Sequence, residues 1–133
     1  MFIERLLNSG NGPILEASVR FAAARHRILA QNIASVDTPD YIQKDLSLPI
    51  FQQMLADRIQ DRESAGPGSV RFDDLAGKIE DDNSGILFHD RNNRSMEQLM
   101  SDSAQNALFH NLMTELLRNQ FATIELALKE RVG

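Results

Sequence analysis

Apolar residues recur at helical spacing over the first third of the chain, where they form two series. The spacing predicts a helix from Pro13 to Ala34, and Pro suits the first turn because its missing N–H would have no partner there. One series contains Leu15, Val19, Ala22, Leu29 and Ile33, and the other contains Ile14, Ala17, Phe21, Ala24 and Ile28. At about 100° per residue the two series lie on nearly opposite sides of the helix. Either this helix is central to a bundle, or one stripe meets its own chain and the other meets a different molecule.

A second apolar pattern, in LPIFQQMLADRIQ, predicts a helix from Pro49 to Arg62. Its apolar members are Ile50, Phe51, Met54, Leu55 and Ile59. The following ESAGPGS changes the composition to Gly, Pro and Ser, which is typical of a linker. We therefore expect residues 63–94 to form a flexible middle loop or a small β-hairpin, with short extended pieces around Val70–Phe72 and Ile86–Phe88.

The last third of the chain predicts one long helix, from Met96 to Arg131. Ser95 and Gln98 fit a capping box at its start, and no Gly or Pro follows until Gly133. A continuous apolar seam at spacings of 4, 4, 3 and 4 contains Met113, Leu117, Phe121, Ile124 and Leu128. Such a helix is roughly 50 Å long, whereas a compact domain of this size has a radius of gyration of about 14 Å.

The predicted fold is therefore all-α and elongated. The long N- and C-terminal helices pair side by side, and the residues expected on the N-terminal side of the seam are Leu15, Val19 and Leu29. Residues 1–62, 63–94 and 95–133 together make one elongated domain.

Composition and charge exclude several classes of function. The chain has 133 residues, no cysteine and a net charge of −5, so it offers neither disulfides nor a basic field for nucleic acid. No apolar run approaches the roughly 18–20 residues that a membrane span needs. Glu4 and Arg5 interrupt the N-terminal apolar run, so we expect no cleaved secretory signal peptide.

Residue patterns for catalysis are absent from the sequence. There is no nucleophile-elbow, phosphate-binding-loop or dinucleotide-binding motif. Of the three histidines, only His89 stands beside a carboxylate, that of Asp90, and no further ligand follows at metal-site spacing. A metal-dependent enzyme built on these two residues is the weakest hypothesis. We expect no catalytic residue, no metal site and no cofactor.

The segment QNIASVDTPDY, at the end of the first predicted helix, is dense in turn-forming residues. Asp37 and Thr38 can bond nearby backbone N–H groups, and Pro39 fixes its own φ. Asn32 suits a helix end, where its amide can bond exposed backbone groups or a partner. Tyr41 has an apolar ring with a polar tip, which is common at interfaces. These features predict either a simple helix stop or a turn that directs Tyr41 to a neighbouring molecule.

The longer stretch LAQNIASVDTPDYIQKDL resembles the N-terminal signature of the bacterial flagellar rod and hook family, whose usual form reads N-I-A-N-V-D-T-P-G-Y-K. The matching positions are Asn32, Ile33, Ala34, Val36, Asp37, Thr38, Pro39 and Tyr41. Ser35 stands where a second Asn is usual, and Asp40 stands in place of Gly. Gly adopts positive φ at little cost, and Asp is among the better substitutes. The segment NNRSMEQLMSDSAQNALFHNLMTELLRNQF also resembles the family's long terminal helix, so the likeness covers about residues 13–62 and 90–131.

This resemblance implies a structural subunit of the flagellar basal-body rod, without catalytic activity. It also implies export through the flagellar type III apparatus without a cleaved signal, and assembly in the periplasmic rod. The implied partners are other copies of the chain, the rod subunit FlgC, the adapter FliE and other rod proteins. A soluble helical adaptor or a flagellar export chaperone is the alternative, since it also explains the acidity and the amphipathic helices.

Overall fold

A computed structural model describes residues 10–65, 71–72, 74–75, 86–88 and 95–132 of the chain. The helices in these residues are α1 (Gly12–Ala34), α2 (Leu48–Ala65) and α3 (Met96–Val132). Two short strands, β1 (Lys44–Leu46) and β2 (Ile86–Phe88), pair in antiparallel orientation. The predicted all-α class is confirmed. The predicted helix bounds agree closely with the observed ones, and the largest difference is at the C-terminal end of α2.

The helices α1 and α3 lie side by side and run in opposite directions. The Asn106 side-chain nitrogen donates to the Ala22 carbonyl oxygen at 2.9 Å. Near the start of α1, a Cβ atom placed on Gly10 would lie 3.7 Å from the Gln120 amide nitrogen. At 37 residues, α3 is about 55 Å long. The elongated pairing of the two terminal helices is therefore confirmed.

Both apolar stripes of α1 are covered by other parts of the same chain. The stripe that contains Phe21 packs on α2, β1 and residues 72 and 75. The Phe21 and Phe51 rings stack with centroids 4.3 Å apart. On the other stripe, Ala22 and Leu29 are buried on the side that meets α3. Of the two arrangements that the sequence allows, α1 is therefore the central helix.

Part of the expected middle loop belongs to the core. The Phe72 and Leu75 side chains are 3% and 0% exposed, so the expectation of a flexible loop does not hold at these residues. Both side chains pack in the core beside α2. The Arg62 guanidinium lies 5.5 Å from the centre of the Phe72 ring. The strand β2 lies where a short extended piece was predicted, but it pairs with β1 rather than within a local hairpin. Val70 lies outside the described residues.

The predicted capping box at the start of α3 is present. The Gln98 backbone N–H donates to the Ser95 hydroxyl oxygen at 3.3 Å, and the Ser95 backbone N–H donates to the Gln98 side-chain oxygen at 3.2 Å. These bonds satisfy donors that the helix cannot satisfy internally. The local sequence therefore fixes where α3 begins.

Candidate assembly site

The motif turn that follows α1 is stabilised by successive backbone hydrogen bonds between residues three or four positions apart. The Ser35 N–H donates to the Gln31 carbonyl oxygen at 3.0 Å, and the Thr38 N–H donates to the Ser35 carbonyl oxygen at 3.0 Å. The side chains of Asp37, Thr38 and Pro39 are exposed. These three motif residues therefore shape the turn and remain accessible on its surface.

Asp40 has a φ of 61°, in the left-handed region that favours glycine. Among the described residues, it is the one non-glycine residue with positive φ. This is the position at which the resembled family has Gly. The backbone geometry thus explains why a glycine is the favoured residue there, and Asp40 adopts that geometry at some cost in strain.

Asn32, near the end of α1, forms hydrogen bonds with residues that follow the turn. Its side-chain nitrogen donates to the Lys44 carbonyl oxygen at 2.5 Å, and its side-chain oxygen accepts from the Lys44 N–H at 3.0 Å. The same oxygen accepts from the Tyr41 hydroxyl at 3.3 Å. Because Asn32 is only 1% exposed, these bonds satisfy groups that water cannot reach. Asn32 therefore links the end of α1 to the start of β1 through hydrogen bonds.

A partly buried ion pair links β1 to α1 about two helical turns before Asn32. The Arg25 guanidinium donates to both carboxylate oxygens of Asp45, at 2.8 and 3.0 Å. The hydrogen bond to Asp45 raises the pKa of Arg25, so the guanidinium stays charged. Asp45 also accepts from the Leu46 N–H at 2.8 Å. Sequence reasoning missed this pair, because nothing local links two residues that lie 20 positions apart.

Tyr41 and its neighbour Ile42 differ in how they meet solvent. Tyr41 is half-buried, and its hydroxyl bonds Asn32 within the chain. Ile42, which sequence reasoning missed, is 55% exposed. Its only sequence signal is its place directly after the motif. A contact between Tyr41 and a neighbouring molecule stays a prediction, while the exposed apolar side chain beside the motif turn is that of Ile42.

The seam residues of both helices fall mainly on the contact between α1 and α3. Leu29 is buried on α1, Ile124 is buried on α3, and the others that are at least half-buried are Leu15, Val19, Met113, Leu117 and Leu128. Ile33, the remaining motif residue, is half-buried. Phe121 is the exception, since it is 45% exposed. It lies about 60° around α3 from Ile124, which places it at the edge of the contact face.

A row of apolar side chains on α3 faces solvent. We define the outward row as the i, i+4 ridge Met100, Ala104, Leu108 and Leu112, which spans about 18 Å. Met100, Leu108 and Leu112 are 58%, 70% and 55% exposed. Leu116, one turn further along the ridge, is 41% exposed and lines a groove beside Leu15 of α1. One of the two arrangements that the sequence allowed left a stripe of α1 for a different molecule, whereas the exposed apolar row in the structure lies on α3.

Other chemistry is sparse in the part of the chain that the structure describes. There, no three or more His, Cys, Asp or Glu side chains are placed to hold a metal ion together. His89 and Asp90 lie outside the described residues. None of the described helices is long and apolar enough to cross a bilayer. Comparisons with protein-family models, curated proteins and solved structures give no match for this chain.

Proposed function

We propose that the chain is a structural subunit of the proximal rod of the bacterial flagellum, of the FlgB kind. In this proposal it has no catalytic activity and assembles by helix packing into the wall of a tube. It contacts other copies of itself, FlgC, FliE and other rod proteins in the periplasm, after passing through the flagellar type III export apparatus.

The observation that carries the proposal is the backbone at Asp40. The resemblance assigns a glycine to this position on sequence grounds alone. The φ of 61° at Asp40 is an independent physical reason for a glycine at the same place. Positive φ also occurs in unrelated turns after helices, so the support comes from its coincidence with the position of the family's glycine.

The outward row of α3 supports assembly as the role. Soluble monomers rarely expose contiguous large apolar patches, and such patches commonly mark interaction sites. An i, i+4 ridge is also the feature that packs into the groove of another helix. The row therefore suits repeated helix-to-helix contacts between subunits.

The adaptor or export-chaperone hypothesis is supported by the same outward row, which could bind a single partner helix. It gives no reason for the motif turn. Genomic position separates the two hypotheses cheaply, because a rod gene normally neighbours other rod genes.

Deletion of the gene in its host, followed by electron microscopy of isolated basal bodies, tests the proposal. We expect the deletion strain to lack rods and the wild-type gene to restore them. The Leu108→Asp/Leu112→Asp double variant should be exported but should fail to restore rods, because it places charges in the outward row.

Ala30→Asp is the matched control for added charge, since Ala30 is exposed on α1 and lies outside the row. It should restore rods. Normal rods in the deletion strain would refute the proposed function, and normal rods with the double variant would show that the outward row is not the assembly surface.

A further inference from the structure

A small cavity lies in the groove between α1 and α3, away from the motif turn and the outward row. Its volume is about 250 Å³. Its lining residues are Ala23, His26, Asn106, Ala107, His110 and Asn111. The two alanines leave space between the helices, and the remaining four side chains all carry nitrogen or oxygen atoms able to bind a ligand.

Asn106 has a buried oxygen without a partner. Its side-chain nitrogen donates to the Ala22 carbonyl oxygen, which fixes the orientation of the amide. The opposite atom, Oδ1, is buried and makes no hydrogen bond in the structure. The residue as a whole is 1% exposed. A buried acceptor of this kind is costly unless a donor or a cation meets it.

The antiparallel pairing places His26 and His110 on opposite sides of Asn106 along the helix axes, and both line the same cavity. Side chains on a helix lean toward its N-terminus. Because Ala22 and Asn106 lie opposite each other, His26 leans back toward their level from one side and His110 from the other. Asn106 and His110 are also four residues apart on α3, a spacing that places two ligands on one face of a helix.

We propose that this cavity binds a divalent first-row transition metal ion such as Cu²⁺, Ni²⁺ or Zn²⁺. The ligands are one imidazole nitrogen each from His26 and His110, with Asn106 Oδ1 as the oxygen ligand and water in the remaining positions. Neutral imidazole suits these ions, whereas Mg²⁺ and Ca²⁺ prefer sites made of oxygen ligands. A bound ion would link α1 to α3, independently of the proposed role in the rod.

Calorimetric titration of the untagged chain with each ion tests the proposal. We expect one Cu²⁺, Ni²⁺ or Zn²⁺ per chain, no binding of Mg²⁺ at the same concentrations, and a higher unfolding temperature in the metal-bound protein. The electron paramagnetic resonance spectrum of bound Cu²⁺ should show coupling to two nitrogen atoms.

Substitutions at the ligands identify the site. His26→Ala and His110→Ala should each weaken binding by about tenfold or more, since even the loss of an outer-shell partner costs that much. Asn106→Ala should also weaken binding. Circular dichroism of each variant checks that the helices are intact.

His89→Ala is the matched control, because it removes the third histidine of the chain, and it should bind like the wild type. Lack of binding by the wild type, full binding by a folded His26→Ala or His110→Ala variant, or equal loss in His89→Ala would overturn the proposal.

Discussion

Asn32 gives the Lys44 backbone the pair of hydrogen bonds that a neighbouring strand would otherwise provide. Its amide donates to the Lys44 carbonyl oxygen and accepts from the Lys44 N–H. Buried backbone groups need such partners, because an unpaired one loses its hydrogen bond to water without replacement. A residue that is unfavourable inside most helices therefore stabilises the end of this one.

The first prediction compares the contributions of Asn32 and Tyr41, whose side chains are hydrogen-bonded to each other. Asn32→Ala leaves two backbone groups of Lys44 unpaired, so it should lower the free energy of unfolding by roughly 2–4 kcal/mol. Tyr41→Phe removes a single half-exposed hydrogen bond and should cost at most about 1 kcal/mol. Chemical denaturation measures the free energy of unfolding of both variants. Equal losses would mean that the Asn32–Lys44 hydrogen bonds stabilise the fold no more than the Tyr41 hydroxyl does.

The second prediction concerns strain at Asp40. Asp40→Gly relieves positive φ in a residue with a Cβ atom, and should stabilise the fold by about 0.5–1 kcal/mol after the added freedom of the unfolded chain is subtracted. Asp37→Gly is the control, because Asp37 lies in the same turn without positive φ. The control should be neutral or destabilising in denaturant titrations. A loss of stability in Asp40→Gly would contradict the role of φ.

At the scale of the element, the N-terminus of α3 provides the third prediction. Ser95→Ala removes the capping hydroxyl and should cost about 1 kcal/mol of stability, with faster hydrogen exchange in the first turn. Ser101→Ala is the matched control, because Ser101 is exposed inside α3, where Ala has the higher helix propensity. Unchanged exchange in Ser95→Ala would show that packing at Leu99, and not the cap, sets the start of the helix.

The helices could be predicted from the sequence because their signals are local. Apolar spacing and the Ser95–Gln98 cap are visible within one or two turns. The contact between Arg25 and Asp45 depends on how distant segments fold back, as does burial of Phe72 and Leu75. Two apolar side chains in a polar segment carry no periodicity, so their place in the core could not be inferred.

The candidate site followed the same division. The motif residues were identifiable because the stretch is long and unusual in composition. The contacts that these residues make within the chain could not be predicted. Asn32 bonds the backbone of Lys44, and every residue has the same backbone groups, so the sequence does not indicate this partner. The exposure of Ile42 was also not predictable, because the sequence does not show that Tyr41 bonds Asn32 within the chain while Ile42 faces solvent.

For the whole molecule, α3 is apolar on more than one side, and only one side meets α1. Leu99, Asn106 and Ile124 are buried on the inner side, whereas the outward row faces solvent. A helix that is apolar on two sides holds a monomer together with one and leaves the other for a partner. Stability of the subunit and association of subunits can therefore be changed separately.

The fourth prediction tests that separation. Leu117→Asp places a charge in the half-buried contact with α1 and should destabilise the isolated chain by roughly 2–4 kcal/mol. Phe121→Asp changes a side chain that is 45% exposed and should alter stability by only about 0.5 kcal/mol. The sequence pattern treated both as seam residues. Similar thermal unfolding losses for the two variants would restore that assignment.

The hydrogen bond between Ala22 and Asn106 also has a kinetic consequence. It joins residues 84 positions apart, and closing a loop of that length costs about 4 kcal/mol of chain entropy before any contact offsets it. Contacts of such long range slow folding. Until α3 has been synthesised and has docked, Ala22 and Leu29 have no cover, so this face of α1 stays open to solvent and to proteases during synthesis.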